Sequence, residues 1–215
     1  HVATVDSLVV MGHTDDVSTP ILRPGIKTFK PRRSRITPRQ QQALAHAGPC
    51  LLTEETLGDA WASGSSVIVD IGFGSGEPVA AMARSFPEQI ILAVDVHTPG
   101  IGDLLDRCRV EDIENVFVIE ADALELVPTI PGPLSGVRTY FPDPWPKSRH
   151  HKRRLVQTPV IDAVAERVID GGFWHLTTDW AEYAESICAT FDEHTGWQGG
   201  VIPRPDWRPV THYER

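Results

Sequence analysis

Tyr140-Phe141-Pro142-Asp143-Pro144-Trp145-Pro146-Lys147-Ser148-Arg149-His150-His151-Lys152-Arg153-Arg154 follows an apolar run that begins at Val137. A carboxylate, Asp143, stands between two prolines, and a dense cationic segment comes directly behind it. Proline fixes φ and removes a backbone donor, so the chain around Asp143 is expected to be stiff. The residues before each proline are expected to be extended. An aimed carboxylate beside a row of cations suggests a small polar reaction performed next to a polyanion.

Outward from this stretch the chain alternates. Short β-branched runs are predicted as strands at Val67 to Ile71, Ile90 to Val94, Val116 to Ile119, Val137 to Phe141 and Phe173 to Thr177. Between them lie amphipathic helices. Thr37-Pro38, Thr98-Pro99 and Thr158-Pro159 each read as a threonine cap followed by proline at the first helical position. Ile101, Leu104, Leu105 and Cys108 share one stripe, as do Ile161, Val164, Ala165 and Val168, and Trp180, Ala184, Ile187 and Phe191. These stripes are read as core faces. Continuous apolar strands alternating with helices predict an α/β fold whose mostly parallel sheet is buried on both faces.

The first of these strands runs into Asp70-Ile71-Gly72-Phe73-Gly74-Ser75-Gly76, and a helix carrying Val79, Met82, Ala83 and Phe86 follows. Such a turn lets a ligand approach the backbone at Gly72, Gly74 and Gly76 and at a helix N-terminus. By itself it is equally a tight strand-to-helix connection. Its neighbours narrow the choice. Asp95, Asp122 and Asp143 close the next three strands, and in an open α/β sheet the ligand crevice lies at the carboxyl ends. Asp70, Asp95, Asp122 and Asp143 are therefore expected to ring one pocket. Extra carboxylates repel a pyrophosphate but complement the sulfonium and ammonium of S-adenosylmethionine. Asp95 is assigned to the ribose hydroxyls, Asp122 to the adenine amine and Asp70 to the amino-acid end. Asp143 belongs where cofactor and substrate meet.

The net charge of −9 over 215 residues argues against a polyanion, but its distribution does not. Five of the eight residues from Lys147 to Arg154 are Lys or Arg, and a second cluster comprises Lys27, Lys30, Arg32, Arg33, Arg35 and Arg39. Phosphates respond to local potential. Cys50, Cys108 and Cys188 have no metal-ligand spacing and read as reduced thiols. His150 and His151 have no third ligand nearby, so no metal is expected. There is no apolar run of membrane-spanning length. The expected location is cytoplasmic and the expected state a monomer or homodimer. The chain opens at His1, so the start of the protein is expected to lie upstream. Residues 1 to 25 show no sustained period and are expected to be loosely attached.

Together these motifs resemble those of a known family, the tRNA (guanine-N7)-methyltransferases of the bacterial TrmB type. The resemblance is carried by Phe141 to Lys147 with Arg149 to Arg154. It extends to Thr178-Asp179-Trp180 with Tyr183-Ala184, to the tail Arg208 to Arg215, and to the basic arm Lys27 to Arg39. It covers roughly residues 27–215 and implies a class I methyltransferase fold; that domain is expected over residues 37–215, with residues 1–36 as a basic, partly flexible arm. It also implies S-adenosylmethionine as cofactor and methylation of guanine N7 in the tRNA variable loop. The family's cofactor positions fall on Asp70, Asp95, Asp122 and Asp143. Its substrate positions fall on Lys147, Asp179, Thr211, His212, Tyr213 and Glu214. Its RNA-contacting segment falls on Arg149, His150, His151, Lys152, Arg153 and Arg154. The sequence departs from the family where Asp70 and Asp95 replace Glu, at Ser148, and at Tyr213. Guanine N7 carries a lone pair and no proton, so positioning and a nearby carboxylate are expected to carry the chemistry. Asp143 and Asp179 are the candidates. A methyltransferase acting on a small molecule or protein, and a non-catalytic RNA-binding protein of the same fold, are the rival readings.

Overall fold

The computed structural model describes residues 5–12, 27–29, 35–62, 64, 66–211 and 214. In chain order the elements are β1 (Val5–Gly12), α1 (Pro38–Ala45), β2 (Leu51–Leu52), β3 (Val67–Ile71), α2 (Glu77–Ser85), β4 (Ile90–Asp95), α3 (Thr98–Val110) and β5 (Val116–Glu120). They continue with α4 (Ala123–Leu126), β6 (Leu134–Tyr140), α5 (Thr158–Ala165), β7 (Val168–Thr178), α6 (Ala181–Asp192) and β8 (Trp197–Ile202). A 3-10 turn covers Ser148–Arg153. The strands form one sheet in the order β2-β5-β4-β3-β6-β7-β1-β8. All pairs are parallel except the two made by β1, which runs antiparallel to both β7 and β8.

Each predicted strand is present, and the continuous apolar runs are explained by cover on both faces. Leu92 and Val94 of β4 point into one core with Ile161 and Val164 of α5 and Ile187 and Phe191 of α6. Ile91 and Ala93 point the other way, towards Val79 and Met82 of α2 and Leu104 and Leu105 of α3. At Thr37 the predicted cap is a full capping box with Gln40, each residue bonding the other's backbone. At the two other threonine-proline pairs the helix starts one residue earlier. The N-caps are His97 and Gln157, and neither caps through its side chain. Thr98 instead donates its hydroxyl to Glu120 at 2.6 Å. On α6 the stripe holds for Ala184, Ile187 and Phe191, but Trp180 is the N-cap and is 41% exposed. Tyr183, with no exposed surface, fills the core in its place.

The expectation for the first 25 residues is corrected over part of its length. Val5–Gly12 is an interior strand, hydrogen-bonded on both sides, with Leu8 and Val10 buried. The division at residue 36 therefore cuts through the sheet. The reason lies in tertiary pairing: the partners of β1 are Phe173–Thr178 and Trp197–Ile202, at the far end of the chain. Gly199 permits the close approach, since a Cβ there would lie 2.0 Å from the Val9 carbonyl oxygen. Residues 13–26 and 30–34, with Lys30, Arg32 and Arg33, lie outside the described residues.

Leu8→Ala is expected to cost about 2–5 kcal/mol, the range for a buried leucine truncated in a packed core. Urea unfolding measures it, and a loss under about 0.5 kcal/mol would remove β1 from the sheet.

Candidate active site

The order β5-β4-β3-β6 places four consecutive parallel strands side by side, so their carboxyl ends share one edge of the sheet. Asp70, Asp95, Asp122 and Asp143 all stand at that edge, in or just after β3, β4, β5 and β6. The cavity they were expected to ring is divided. Asp95, Asp122 and Asp143 line a space of about 310 Å³ together with Gly72, Gly74 and Phe141. Asp70 lines an adjoining space of about 50 Å³ with Ser75, Tyr140 and Thr211. Gly72, Gly74 and Phe141 border both.

The glycine loop adopts the left-handed backbone that its composition suggested, with φ of 73°, 62° and 73° at Gly72, Gly74 and Gly76. Asp95 fixes the loop from the neighbouring strand. One carboxylate oxygen accepts from Gly74 N at 3.0 Å, and the other from Val96 N at 2.7 Å and His97 N at 2.9 Å. A carboxylate offers about four acceptor sites, so capacity remains for a ligand. Burial raises the Asp95 pKa above the usual carboxylate value, and those backbone donors oppose the rise. Asp122 also caps α4, accepting from Leu124 N at 3.0 Å. Burial raises its pKa too.

Asp70 is the most deeply placed acid, at 2% exposure. Burial pushes its pKa up to about 6; the Arg138 guanidinium opposes the shift and Asp95 adds to it. Asp70 Oδ2 has no hydrogen-bond partner within the protein. A buried, unpartnered carboxylate oxygen at a glycine loop suits a cationic ligand group and is costly without one. Asp70 is in register with Arg138 of β6, and Arg138 with His175 of β7, so the three form a polar row across one sheet face. Burial, then Arg208 and Arg138, push the His175 pKa down to about 3. His175 Nδ1 lies 2.9 Å from the Tyr140 hydroxyl.

The tail covers this row. The Trp207 ring packs edge-on against His175, and the Arg208 guanidinium lies 5.7 Å from the Tyr140 ring centre. Arg208 is 1% exposed and donates through both terminal nitrogens to Glu214. Glu214 also accepts from Thr211 N at 2.9 Å and Thr211 Oγ1 at 3.0 Å. Desolvation raises the Glu214 pKa, but the Arg208 and Thr211 hydrogen bonds outweigh it and hold the value at about 2. Glu214 thus clamps the tail, while Thr211 borders the smaller space. His212 and Tyr213 lie outside the described residues.

The proline-rich loop departs from the extended geometry expected of it. Phe141 and Trp145 each precede a proline, yet have φ of 52° and 44°, in the left-handed region that non-glycine residues avoid. Phe141 N is held by Thr177 O at 2.8 Å. Trp145 is 7% exposed, and its Nε1 donates to Thr28 O at 2.9 Å. These contacts outweigh the local preference and turn the chain sharply on both sides of Asp143.

The basic run divides by direction. Lys147, Arg149 and Lys152 are exposed. Arg154 is 3% exposed; it donates to Pro144 O at 2.9 Å and pairs with Glu182 through both terminal nitrogens. It also lies 4.7 Å from the Tyr183 ring centre. Arg153 is half-buried against Trp145, with its guanidinium 3.8 Å from the ring centre. His150 and His151 are half-buried on the same turn. The outward cationic surface of this segment is therefore narrower than its composition suggests. Asp179 is exposed at the end of β7, next to Trp180. Sequence reasoning missed Arg138 and His175, which read as ordinary strand residues. It also missed the inward placement of Arg208, which a basic residue in an apparently open tail does not announce. No group of three His, Cys, Asp or Glu residues is placed to hold a metal among the described residues.

The family model described as "Putative methyltransferase" matches residues 64–215. A Streptomyces coelicolor protein named tRNA (guanine-N(7)-)-methyltransferase is 41% identical over 202 residues, covering 88% of this chain and 74% of its own length. A Thiobacillus denitrificans protein of the same name is 38% identical over 203 residues, covering 90% and 89%. Among solved structures, a precorrin-6y C5,15-methyltransferase from Geobacter metallireducens superposes with a TM-score of 0.51 at 19% identity. That match covers 66% of this chain and 70% of the other and bears on the fold alone. With its Rossmann-like class I methyltransferase architecture and these relatives, the chain belongs to the tRNA (guanine-N7)-methyltransferase family.

Proposed function

We propose that the protein transfers a methyl group from S-adenosylmethionine to N7 of a guanine in the variable loop of tRNA. The observation that carries this reading is the junction of two surfaces at Asp143. Carboxylates line a cavity at the strand ends, and exposed cations stand on the turn that follows directly. The residues fit the cofactor. Gly72 and Gly74 leave open space where a side chain would stand, and Asp70 offers an unpartnered buried oxygen. The set of acids suits a sulfonium and an ammonium and disfavours a pyrophosphate. When bound, S-adenosylmethionine supplies the methyl carbon, whose bond to sulfur breaks as the bond to N7 forms, leaving S-adenosylhomocysteine and a cationic guanine.

The protein's share of this work is positioning and electrostatics. Asp95 and Asp122 hold the ribose and adenine side of the cavity, and Asp70 the amino-acid side. Asp143, on a backbone turned twice, faces the place where donor and base meet. No general base is required, because N7 bears no proton. A carboxylate beside the ring favours the charged product over the neutral substrate. Asp179 is exposed and can accept from guanine N1–H and N2–H, which adenine lacks. Lys147, Arg149 and Lys152 contact the phosphates, with Arg153 and Arg154 turned towards the protein. Trp180, exposed beside Asp179, offers a stacking face.

Incubation of tRNA with the protein and cofactor, then digestion to nucleosides, is expected to yield 7-methylguanosine. Asp143→Asn is expected to lower the rate about 10²–10³-fold, as for a removed electrostatic stabiliser. Methyl incorporation into any other nucleoside would reject the assignment.

Cofactor affinity is expected to weaken as pH falls through about 6, because Asp70 then takes up a proton and loses its attraction for the ammonium. The decline should approach tenfold per pH unit and vanish in Asp70→Asn, read by calorimetry.

Replacing Lys147, Arg149 and Lys152 by alanine is expected to reduce the salt dependence of tRNA binding by about one unit of slope per lost contact. An unchanged slope would exclude the turn from the interface.

A further inference from the structure

Three consecutive backbone carbonyls, at Lys27, Thr28 and Phe29, are each held by a side chain of the proline-rich and basic motif. Arg153 Nε donates to Lys27 O at 3.0 Å and Arg153 Nη2 to Phe29 O at 3.4 Å. Between them Trp145 Nε1 donates to Thr28 O at 2.9 Å. The two holding side chains brace each other, with the guanidinium stacked 3.8 Å from the indole ring centre. Lys27 lies over the Phe29 ring at 5.7 Å. Thr28 and Phe29 line the 310 Å³ cavity, as do Asp95, Asp122 and Asp143.

A guanidinium built to read phosphate presents its N–H groups to solvent. Arg153 spends two of them on carbonyls and its flat face on an indole. Lysine cannot reproduce this, because only a planar fork supplies two separated donors and a stacking face together. The left-handed backbone at Trp145, costly for a non-glycine residue, has a purpose in this arrangement: it brings the indole N–H to Thr28.

We infer that Lys27–Phe29 is a strap forming one wall of the cofactor cavity, and that Trp145 and Arg153 are positioning residues that fix it there. This rests on the cofactor reading given above. Arg153 then serves donor binding, while its exposed neighbours Lys147, Arg149 and Lys152 serve RNA binding.

The test uses the full chain and S-adenosylhomocysteine, titrated calorimetrically without tRNA. Trp145→Phe keeps the ring and loses one hydrogen bond; Arg153→Lys keeps the charge and loses the fork. Arg153→Ala loses both. The Arg153 variants are expected to weaken binding about tenfold or more, in line with hydrogen bonds from a charged donor, and Trp145→Phe about fivefold, in line with one neutral hydrogen bond. The salt slope of tRNA binding should stay at the wild-type value. Trypsin cleavage after Lys27, followed by mass spectrometry, should be faster in both Arg153 variants, which release the scissile carbonyl, and in Trp145→Phe, which frees the next carbonyl, at Thr28, and so loosens the strap. If Arg153→Ala misfolds, Trp145→Phe carries the test. Variants that bind S-adenosylhomocysteine within about twofold of wild type, with a salt slope reduced by about one in Arg153→Ala, would make Arg153 a phosphate contact and overturn the strap. A wild-type chain that fails to bind S-adenosylhomocysteine would overturn the cofactor reading, and the strap with it.

Discussion

Parallel pairing of β3 with both β4 and β6 is the constraint on which the rest depends. Strands that run the same way must end at the same edge, so every residue placed just after a strand arrives in one rim. That geometry turns four acids, widely separated along the chain, into neighbours. It also lets Asp95 at the end of β4 accept from the backbone of the glycine loop after β3. The loop is therefore shaped by its own left-handed glycines and locked from the adjacent strand.

A price of this arrangement is a buried polar row, Asp70–Arg138–His175, behind the rim. Charged and polar groups removed from water need partners. The Arg138 guanidinium offsets part of the burial of Asp70, His175 stays neutral, and the tail packs against His175 and Tyr140. The tail brings a cation of its own, Arg208, and neutralises it with Glu214 in the same short segment. The segment is consequently a closing element of the site rather than a loose end, and it delivers Thr211 to the smaller space beside Asp70.

The cationic run shows how little composition says about direction. Within one 3-10 turn and its two caps, three cations face solvent, one stacks on an indole and one is buried in an ion pair. A 3-10 turn repeats every three residues, so neighbours in sequence point to different sides. The same local geometry allows one stretch to hold the arm, brace α6 through Glu182, and leave a ridge of charge outside.

Much of this was legible in the residues alone. The strands after Val67, Ile90, Val116 and Val137 were marked by β-branched runs, the loop by its glycines, and the rim by an acid at each strand end. These are local signals, and a parallel sheet converts them into a site without further information. What the sequence did not determine depends on contacts between distant segments. The strand Val5–Gly12 takes its hydrogen-bonding partners, β7 and β8, from the far end of the chain. Arg153 and Arg154 carry the same side chain at adjacent positions, and only packing against Trp145 and Glu182 tells them apart. Phe141 and Trp145 take a backbone that local preference opposes, because long-range hydrogen bonds to Thr177 and Thr28 outweigh it. Local patterning set which elements exist and where the acids fall; tertiary packing alone decided which charges face inward, since burial depends on what the rest of the chain places opposite.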